Sequence, residues 1–550
     1  MKFLVFNFQF SNKKTTYLFL FGIIILAALL RLWQLGNVPP SPDWDEAALG
    51  YNAFSILHTG RDEYGKFLPV VLRSFDDYKP ALYAYLIIPF VQLFGLTIQA
   101  VRLPSVIFGI GGVLGAFFLV KELFKKNSLA LLSCFLLAIS PWYLQFSRIA
   151  FESQVGLSCN ILGVLFFLRG LKKPWMVLVS AVFFAMSIYV YQSEKVFVPL
   201  IVLSLVLIYR KEIFSLPKKL LCFIVIFVFL LLLPMGVYTL TNKAAFARAQ
   251  GVSIFSDQTI SSRSSQQLLQ DEQKHDVIGI FFDNRRVIFA KTIIGNYLSH
   301  YNLNWLFITG DLNRHHAPNM GLLYLWELPF LFVGAYGLIF GNYSKKTKFI
   351  LFSWFLLAPI PASVTTGVPH AVRDLNAVVI YEILSAIGVL TVFQAVTKSM
   401  RNIAFIVMIL FFFLNFMYFL DQYFVQQNYF VSEDWQYGYA KIVPEVARLA
   451  PKFKKIVVSN HPYMDQSYIF FLFYLRYNPT LYQSQTKDAS GGFRENHTFG
   501  MYEFRPITWE KEIKNSDTLF VGRSSDFPAN VDILTQVNFL DNKQDMEIVK

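Results

Sequence analysis

Long apolar runs recur along most of this chain and alternate with short polar segments. Each run approaches the ~17–25 residues that a helix needs to cross the hydrocarbon core of a bilayer. We place spanning helices at about 16–35, 100–122, 128–146, 154–169, 174–191, 196–209, 219–240, 322–341, 348–366, 375–396 and 402–420, each end to within several residues. The pattern predicts an all-α polytopic membrane domain with about eleven transmembrane helices.

The basic residues between these runs predict the orientation of the chain. They cluster at Lys13/Lys14, Lys121/Lys125/Lys126, Arg169/Lys172/Lys173, Arg210/Lys211/Lys218/Lys219, Lys345/Lys346/Lys348 and Lys398/Arg401. Short loops rich in Lys and Arg face the cytoplasm, so the N-terminus is predicted to be cytoplasmic. The outer side then receives long loops at about 36–99 and 241–321. The apolar stretch 81–96 fits this alternation only as a helix on the outer membrane surface.

The last part of the chain differs from the rest. Residues 421–550 are more polar and contain alternating stretches such as KKIVVSN and DTLFVG, which are typical of short strands. We therefore divide the chain into a transmembrane domain at 1–420 and a small extracytoplasmic α/β domain at 421–550.

Composition supports the bilayer as the solvent for much of the chain. Of its 550 residues, 55% are hydrophobic and only 15% are charged, against about 25% charged residues in a typical soluble protein. The net charge of +13 comes from the predicted cytoplasmic turns, so it does not indicate nucleic acid as a partner. The three cysteines, Cys134, Cys159 and Cys222, lie in apolar segments and predict neither disulfides nor a thiolate metal site.

Acidic residues follow the first spanning helix directly. Asp43, Asp45 and Glu46 precede an apolar pattern over 47–57 that is typical of an amphipathic helix on the membrane surface. A carboxylate at the bilayer edge is partly desolvated, which raises its basicity and suits it to accept a proton. The alternative interpretation is structural, with Asp45 as the N-cap of that helix.

Two further outer segments carry ionisable groups near helix ends. Arg148 and Glu152 are spaced i, i+4, which would place them on one helical face as an ion pair or as functional groups. Tyr191 and Lys195 lie in the YQSEK loop. A lysine on the outer side either binds an anionic partner or extends its charge to the interface.

The later outer segments contain candidate phosphate ligands. Arg314 and His315 follow Asp311, with His316 next in the chain, and His370 precedes Arg373 and Asp374. Adjacent histidines point in different directions, so we predict no metal ligands here. The planar fork of an arginine suits it to two phosphate oxygens. Carboxylates and cations on one side of a helical bundle favour a phosphorylated, lipid-soluble substrate.

The order of motifs resembles the membrane glycosyltransferases of the GT-C fold. The motifs are DEAALGYNA, YKPALYAYLIIPFVQLFG, VRLPSVIFGIGGVLGAFFLVKELF, LLAISPWYLQFSRIAFES, LFITGD, RHHAPNMGLLYLWELP and PHAVRDLNAVV. They are similar to the dolichyl-phosphate-mannose protein mannosyltransferases and their bacterial relatives, which include the aminoarabinose transferases of lipid A. The resemblance implies an inverting transferase that takes a sugar from a polyprenyl-phosphate carrier outside the cytoplasmic membrane.

The resemblance also implies roles for particular residues. Asp45, with Glu46 beside it, corresponds to the acid that deprotonates the acceptor, and Glu152 stands where the family usually has an aspartate. Lys195, Arg314 and Arg373 would stabilise the departing lipid phosphate. Cationic side chains could do this without a metal, but related enzymes with diphosphate carriers use a divalent cation, so the resemblance leaves both possibilities open.

Other functions remain open at this point. A transporter or flippase of lipid-linked glycans would place charges at the membrane midplane on related halves, and this sequence shows neither feature. An O-antigen-type ligase would depend on a large loop rich in Arg and His rather than on an early acidic pair. A non-catalytic scaffold would not depend on Asp45. The sugar and the acceptor, whether protein, lipid or glycan, are not encoded in any motif found here.

Overall fold

The computed structural model describes residues 12–75, 77–242, 251–486, 495–514 and 516–550. The predicted outer loops at 36–99 and 241–321 and the C-terminal segment 421–550 each include residues outside these ranges. Statements below concern the described residues.

Every predicted spanning segment contains a helix. Six helical stretches are long and apolar enough to cross a membrane: Lys13–Leu32, Ile98–Phe124, Glu152–Gly170, Lys218–Thr241, Leu375–Ala395 and Asn402–Val431. The other five predicted segments contain Asn127–Ile139, Met176–Val190, Glu194–Ile208, Glu327–Phe340 and Lys345–Leu357. The last of these is shorter than predicted because Pro359 lacks the N–H that a continuing helix needs. The chain is thus a multi-pass membrane protein.

The apolar stretch at 81–96 forms the helix Leu82–Phe94, which has 13 residues. At 1.5 Å per residue this helix is about 20 Å long, shorter than the ~30 Å hydrocarbon core. Asn127–Ile139 has the same length, so length does not separate a surface helix from a crossing, and the placement of Leu82–Phe94 on the outer face stays a prediction.

The chain divides into two compact units. The first, called the helical unit here, comprises Met1–Leu30, Phe108–Phe146 and Ser153–Tyr418. The second, called the mixed unit, comprises Arg31–Ile107, Ser147–Glu152 and Phe419–Lys550. The mixed unit includes the predicted C-terminal α/β segment. It also includes the first long loop, an association that hydropathy alone did not predict.

The helical unit packs its helices closely at glycines. Its further helices are Pro141–Phe146, Arg210–Phe214, Gln258–Lys274, Val277–Phe282, Arg285–Ser299, Ile360–Ser363 and Val378–Ala395, with short 3-10 helices at Ile254–Ser256 and Leu375–Ala377 and a π-helix at Trp305–Thr309.

A Cβ on Gly334 would lie 1.8 Å from the carbonyl oxygen of Leu384, and one on Gly388 would lie 1.8 Å from that of Phe330. Small residues of this kind let two membrane helices approach backbone to backbone.

The mixed unit contains a six-stranded sheet. Its strands are β3 (Lys455–Val458), β4 (His497–Phe499), β5 (Tyr502–Phe504), β6 (Thr518–Gly522), β7 (Ile533–Asn538) and β8 (Gln544–Val549), and the hairpin β1 (Val71–Ser74) and β2 (Asp77–Pro80) precedes them in the chain. The strand order is β4-β5-β3-β6-β8-β7, with β3 parallel to both of its neighbours. Val457 and Phe520 lie in the buried core. The predicted strands KKIVVSN and DTLFVG are therefore confirmed, as is a small C-terminal α/β fold.

Helices complete the mixed unit. They are Trp44–Thr59, Leu82–Phe94, Gln427–Val431, Tyr437–Leu449, Ser467–Leu475 and Pro479–Gln485, with short turns at Gln422–Gln426, Ala450–Lys452, Trp509–Lys511 and Ser524–Asp526. The helix Trp44–Thr59 was predicted to be amphipathic and to lie on the membrane, but most of it is buried within the unit, including the polar Asn52 and Ser55. At Gly50 a Cβ would lie 2.8 Å from the ring of Phe473, so C-terminal residues cover this helix.

Candidate active site

The start of the helix Trp44–Thr59 fixes the first acidic cluster. Asp43 is its N-cap, and the Asp43 carboxylate accepts a hydrogen bond of 2.8 Å from the backbone N–H of Glu46. The alternative that Asp45 caps this helix is therefore wrong. Asp45 and Glu46 both lie in the first turn, where consecutive side chains point about 100° apart. The two carboxylates consequently have different partners.

Asp45 forms an ion pair with Lys79. Lys79 lies on the hairpin strand Asp77–Pro80, opposite Leu72 of the other strand. The side chains of Lys79 and Asp45 are 11% and 30% exposed, respectively, so the pair is accessible at its carboxylate end. Exposure of this degree lets a substrate reach the pair, which a sealed ion pair would not allow.

Glu152 contributes a second carboxylate near Lys79. It begins the helix Glu152–Gly170 and is 7% exposed. Burial opposes the charged form of Lys79, but the negative charges of Asp45 and Glu152 outweigh it and hold the pKa of Lys79 above its ordinary value. Lys79 is therefore a positive charge between two carboxylates.

Glu46 was predicted to be catalytic together with Asp45, but its contacts in the structure are structural. Its carboxylate accepts hydrogen bonds of 2.9 and 2.8 Å from the Nε and Nη2 atoms of Arg102, and one of 2.7 Å from the N–H of Ala150. The side chains of both Glu46 and Arg102 are fully buried. An acid enclosed in this way cannot touch an acceptor.

Arg148 also differs from its prediction as a substrate ligand. It is fully buried and donates hydrogen bonds of 2.9 and 3.0 Å to the carbonyl oxygens of Arg31 and Val38. The helix begins only at Glu152, so Arg148 and Glu152 do not share a helical face. The i, i+4 spacing was misleading because the chain turns at 147–149 instead of continuing a helix.

In the helical unit, the YQSEK segment joins two helices. Glu194 accepts hydrogen bonds of 2.7 and 2.8 Å from the side-chain amides of Asn160 and Asn376. Glu194 therefore braces the bundle. Tyr191 is buried at the end of Met176–Val190, and Lys195 is only partly buried in the next helix. Of these two predicted ligands, Lys195 is the more accessible.

The loops at 310–323 and 364–374 of the helical unit meet at Asp311. The Asp311 carboxylate accepts hydrogen bonds of 2.9 Å from Nδ1 of His315 and 2.6 Å from the N–H of Ala371. The rings of His315 and His370 lie 5.2 Å apart. Burial opposes ionisation of Asp311, but the hydrogen bond from His315 outweighs it and holds the pKa of Asp311 at about 2. Burial lowers the pKa of His315, which favours a neutral imidazole.

The two predicted arginine ligands of this unit are held differently. Arg373 donates hydrogen bonds of 2.6 and 2.9 Å to the Thr365 hydroxyl and the Thr366 carbonyl, so part of its fork braces its own loop. Arg314 is partly exposed, and its carbonyl accepts a hydrogen bond of 2.6 Å from Gln145. The backbone of Arg314 is therefore fixed.

Lys79 is the main residue that the sequence analysis missed. It lies in the YKPALYAY motif, where it is a lysine in a predicted outer loop, the same anomaly that drew attention to Lys195. Lys79 lies 34 positions after Asp45 in the chain, and no periodicity reports a contact between the two.

Two solved structures of membrane glycosyltransferases have a fold similar to that of this chain. ArnT from Cupriavidus metallidurans bound to undecaprenyl phosphate is 10% identical over 98% of each chain, with a TM-score of 0.53. The oligosaccharyltransferase AglB from Archaeoglobus fulgidus, in complex with an inhibitory peptide and a dolichol-phosphate, is 12% identical over 93% of this chain and 69% of that one, with a TM-score of 0.51. At these identities the likeness shows the fold.

A family profile adds sequence evidence. Residues 78–238 match the family described as dolichyl-phosphate-mannose-protein mannosyltransferase, and this segment includes Lys79 and Glu152. No curated protein matches the chain in sequence. The predicted resemblance to GT-C membrane glycosyltransferases is thus confirmed by both the fold and the family match.

Proposed function

We propose that this protein is an inverting glycosyltransferase that moves a sugar from a polyprenyl-phosphate carrier to an acceptor on the extracytoplasmic face of the membrane. The observation that carries this proposal is the accessible pair of Asp45 and Lys79 beside Glu152. It combines a carboxylate that can accept a proton with a cation that can bind a phosphate. The family match and the fold support the use of a lipid-linked donor.

The ion pair itself accounts for the order of events. While Asp45 is paired with Lys79, its carboxylate is occupied by the ammonium group. A bound lipid phosphate competes for Lys79 and leaves Asp45 to take the acceptor's proton. The acceptor oxygen or nitrogen then forms its bond to the anomeric carbon while the bond from that carbon to the phosphate oxygen breaks. Lys79 stabilises the charge on the departing polyprenyl phosphate.

Several sequence-based proposals stand beside this one. Tyr191, Lys195, Arg314 and Arg373 remain proposed ligands of the carrier, and Lys195 and Arg314 are accessible enough for that role. Loss of carrier binding in Lys195→Gln or Arg314→Gln, with unchanged thermal stability, would support their roles. The mechanism derived from Asp45 and Lys79 requires no metal step.

The orientation of the chain is also a proposal. The positive-inside pattern supports a cytoplasmic N-terminus and an extracytoplasmic segment at 421–550. Single cysteines introduced at position 13 and at the exposed Ile513, in a chain without its native cysteines, would test it. A membrane-impermeant thiol reagent added to intact cells should label position 513 and spare position 13.

The decisive experiment measures transfer directly. Purified protein in nanodiscs would be incubated with a panel of radiolabelled polyprenyl-phosphate sugars and with protein, lipid and glycan acceptors. We expect label transfer by the native chain and by Asp77→Asn, a charge-matched control on the same hairpin as Lys79. Asp45→Asn should bind the carrier but lose transfer. If the native chain showed neither carrier binding nor sugar transfer with any member of the panel, the result would favour a transporter instead.

A further inference from the structure

Three potential metal ligands meet in the helical unit. The carboxylate of Asp311 and the ring nitrogens of His315 and His370 offer one ligand atom each, and these atoms all lie within 4.8 Å of one another. Two imidazoles and one carboxylate form the ligand set typical of Zn²⁺ and similar divalent transition metals. This set is separate from the pair of Asp45 and Lys79, which belongs to the mixed unit.

The geometry of the two rings agrees with a shared ion. The centroids of His315 and His370 are 5.2 Å apart, and their planes are inclined by 32°. With Zn–N bonds of about 2.0–2.1 Å and tetrahedral angles, two imidazoles on one ion place their centroids about 5 Å apart. The side chains of His315 and Asp311 are 4% and 7% exposed, so these ligands are held in a sheltered position.

Neighbouring groups hold both loops in place. The backbone next to His370 is fixed at Ala371, whose N–H donates to Asp311 and whose carbonyl accepts a 3.1 Å hydrogen bond from the indole of Trp142. Gly310 has a φ of 68°, and a Cβ there would lie 2.5 Å from the ring of His316. Such supporting contacts orient ligands before the metal binds.

We propose that Asp311, His315 and His370 bind one divalent transition-metal ion of the Zn²⁺ class. The ion joins the loop at 310–323 to the loop at 364–374, and three protein ligands leave its fourth position open to water or an oxyanion. Without the ion, the same residues form a hydrogen-bonded junction. The inference does not depend on the proposed transfer reaction, because metal binding is measured without substrate.

Metal content tests the proposal on the full-length protein. The protein would be purified with an affinity tag that contains no histidines, and bound metal would be removed with a chelator. It would then be reloaded with Zn²⁺ and dialysed before elemental analysis. We expect one equivalent in the native chain and in His316→Gln, and loss of it in His315→Ala and His370→Ala. His316 is the matched control because it is buried in the same loop, while its ring nitrogens contact the carbonyl oxygens of Ala317 and Asp311.

A second measurement needs no variant. Titration of the stripped native chain with Co²⁺ should give the visible absorption bands of a tetrahedral site that saturate at one equivalent. Zn²⁺, but not Mg²⁺, should raise its melting temperature, since a ligand that binds the folded state stabilises it. Absence of tetrahedral bands and of a Zn²⁺-specific shift would overturn the proposal. Equal zinc content in native protein and in a folded double variant lacking both ligand histidines would do so as well.

Discussion

Two neighbouring carboxylates of one helix have opposite surroundings. Glu46 and Arg102 are both fully buried, and the guanidinium also donates to the carbonyl oxygens of Leu35, Pro39 and Ser41. Asp45 is 30% exposed and pairs with Lys79. An arginine fork can bond several acceptors at once, whereas a lysine is a compact charge that can change partners. The type of paired cation and its burial therefore separate the enclosed Glu46 from Asp45, the proposed proton acceptor.

The largest expected effect is the loss of the buried pair. Arg102→Ala leaves the carboxylate of Glu46 buried without its cation, which should lower the free energy of unfolding by about 3–5 kcal/mol. The measurement is thermal unfolding of the purified protein in detergent, with Lys66→Ala as an exposed control. A change below about 1 kcal/mol, the usual worth of an exposed pair, would contradict the structural role assigned to Glu46.

Loss of the exposed pair of Asp45 and Lys79 should lower the rate of sugar transfer rather than the stability of the protein. Lys79→Gln and Asp45→Asn should each reduce the transfer rate by about 10²–10³-fold, the loss typical of one charge-stabilising or proton-accepting group. The double variant should lose little more than either single variant, because groups that act as a unit are not additive. Single-turnover transfer by all four proteins measures this coupling. Independent, multiplicative losses would show that the two residues do not cooperate.

A third carboxylate extends the comparison to a buried acid whose side-chain hydrogen bond comes from an amide instead of a cation. Glu63 is buried and accepts a 2.9 Å hydrogen bond from Asn52, and burial, with a smaller effect of Asp62, raises its pKa from 4.5 to about 8. The folded chain therefore binds more protons than the unfolded chain between these values, so Glu63 makes stability fall as the pH rises through that window. The loss is about 1.4 kcal/mol per pH unit.

Glu63→Gln provides the test, because the amide resembles the neutral acid and does not titrate. Melting temperatures of the native chain and of the variant, measured from pH 5 to pH 8, should converge at the acidic end and separate as the pH rises, with the variant becoming the more stable. A constant difference across this range would mean that Glu63 does not titrate within it.

The sequence was sufficient for the membrane fold because hydropathy reports burial in lipid directly. It also singled out Asp45 and Glu152, which the structure places near Lys79, since acids beside apolar runs are unusual, and their catalytic roles stay predictions. It did not separate Glu46 from Asp45, because their roles depend on Arg102 and Lys79, which lie 56 and 34 positions away in the chain. The burial of Arg148 was not predicted for a related reason: Arg148 donates to backbone carbonyls and lies over the rings of Tyr423 and Phe424, contacts that no residue pattern reveals.

The smallest expected effect comes from exchanging the type of cation in the exposed pair. Lys79→Arg keeps the positive charge but offers Asp45 a bidentate partner, which resembles the arrangement around Glu46. The tighter pair should release Asp45 less readily to the acceptor and slow transfer roughly tenfold, while stability stays unchanged or rises slightly. Single-turnover rates and melting temperatures, compared with Lys79→Gln, distinguish the outcomes. If Lys79→Arg were as inactive as Lys79→Gln, positive charge alone would not explain the role of Lys79, and the compact ammonium group itself would be required.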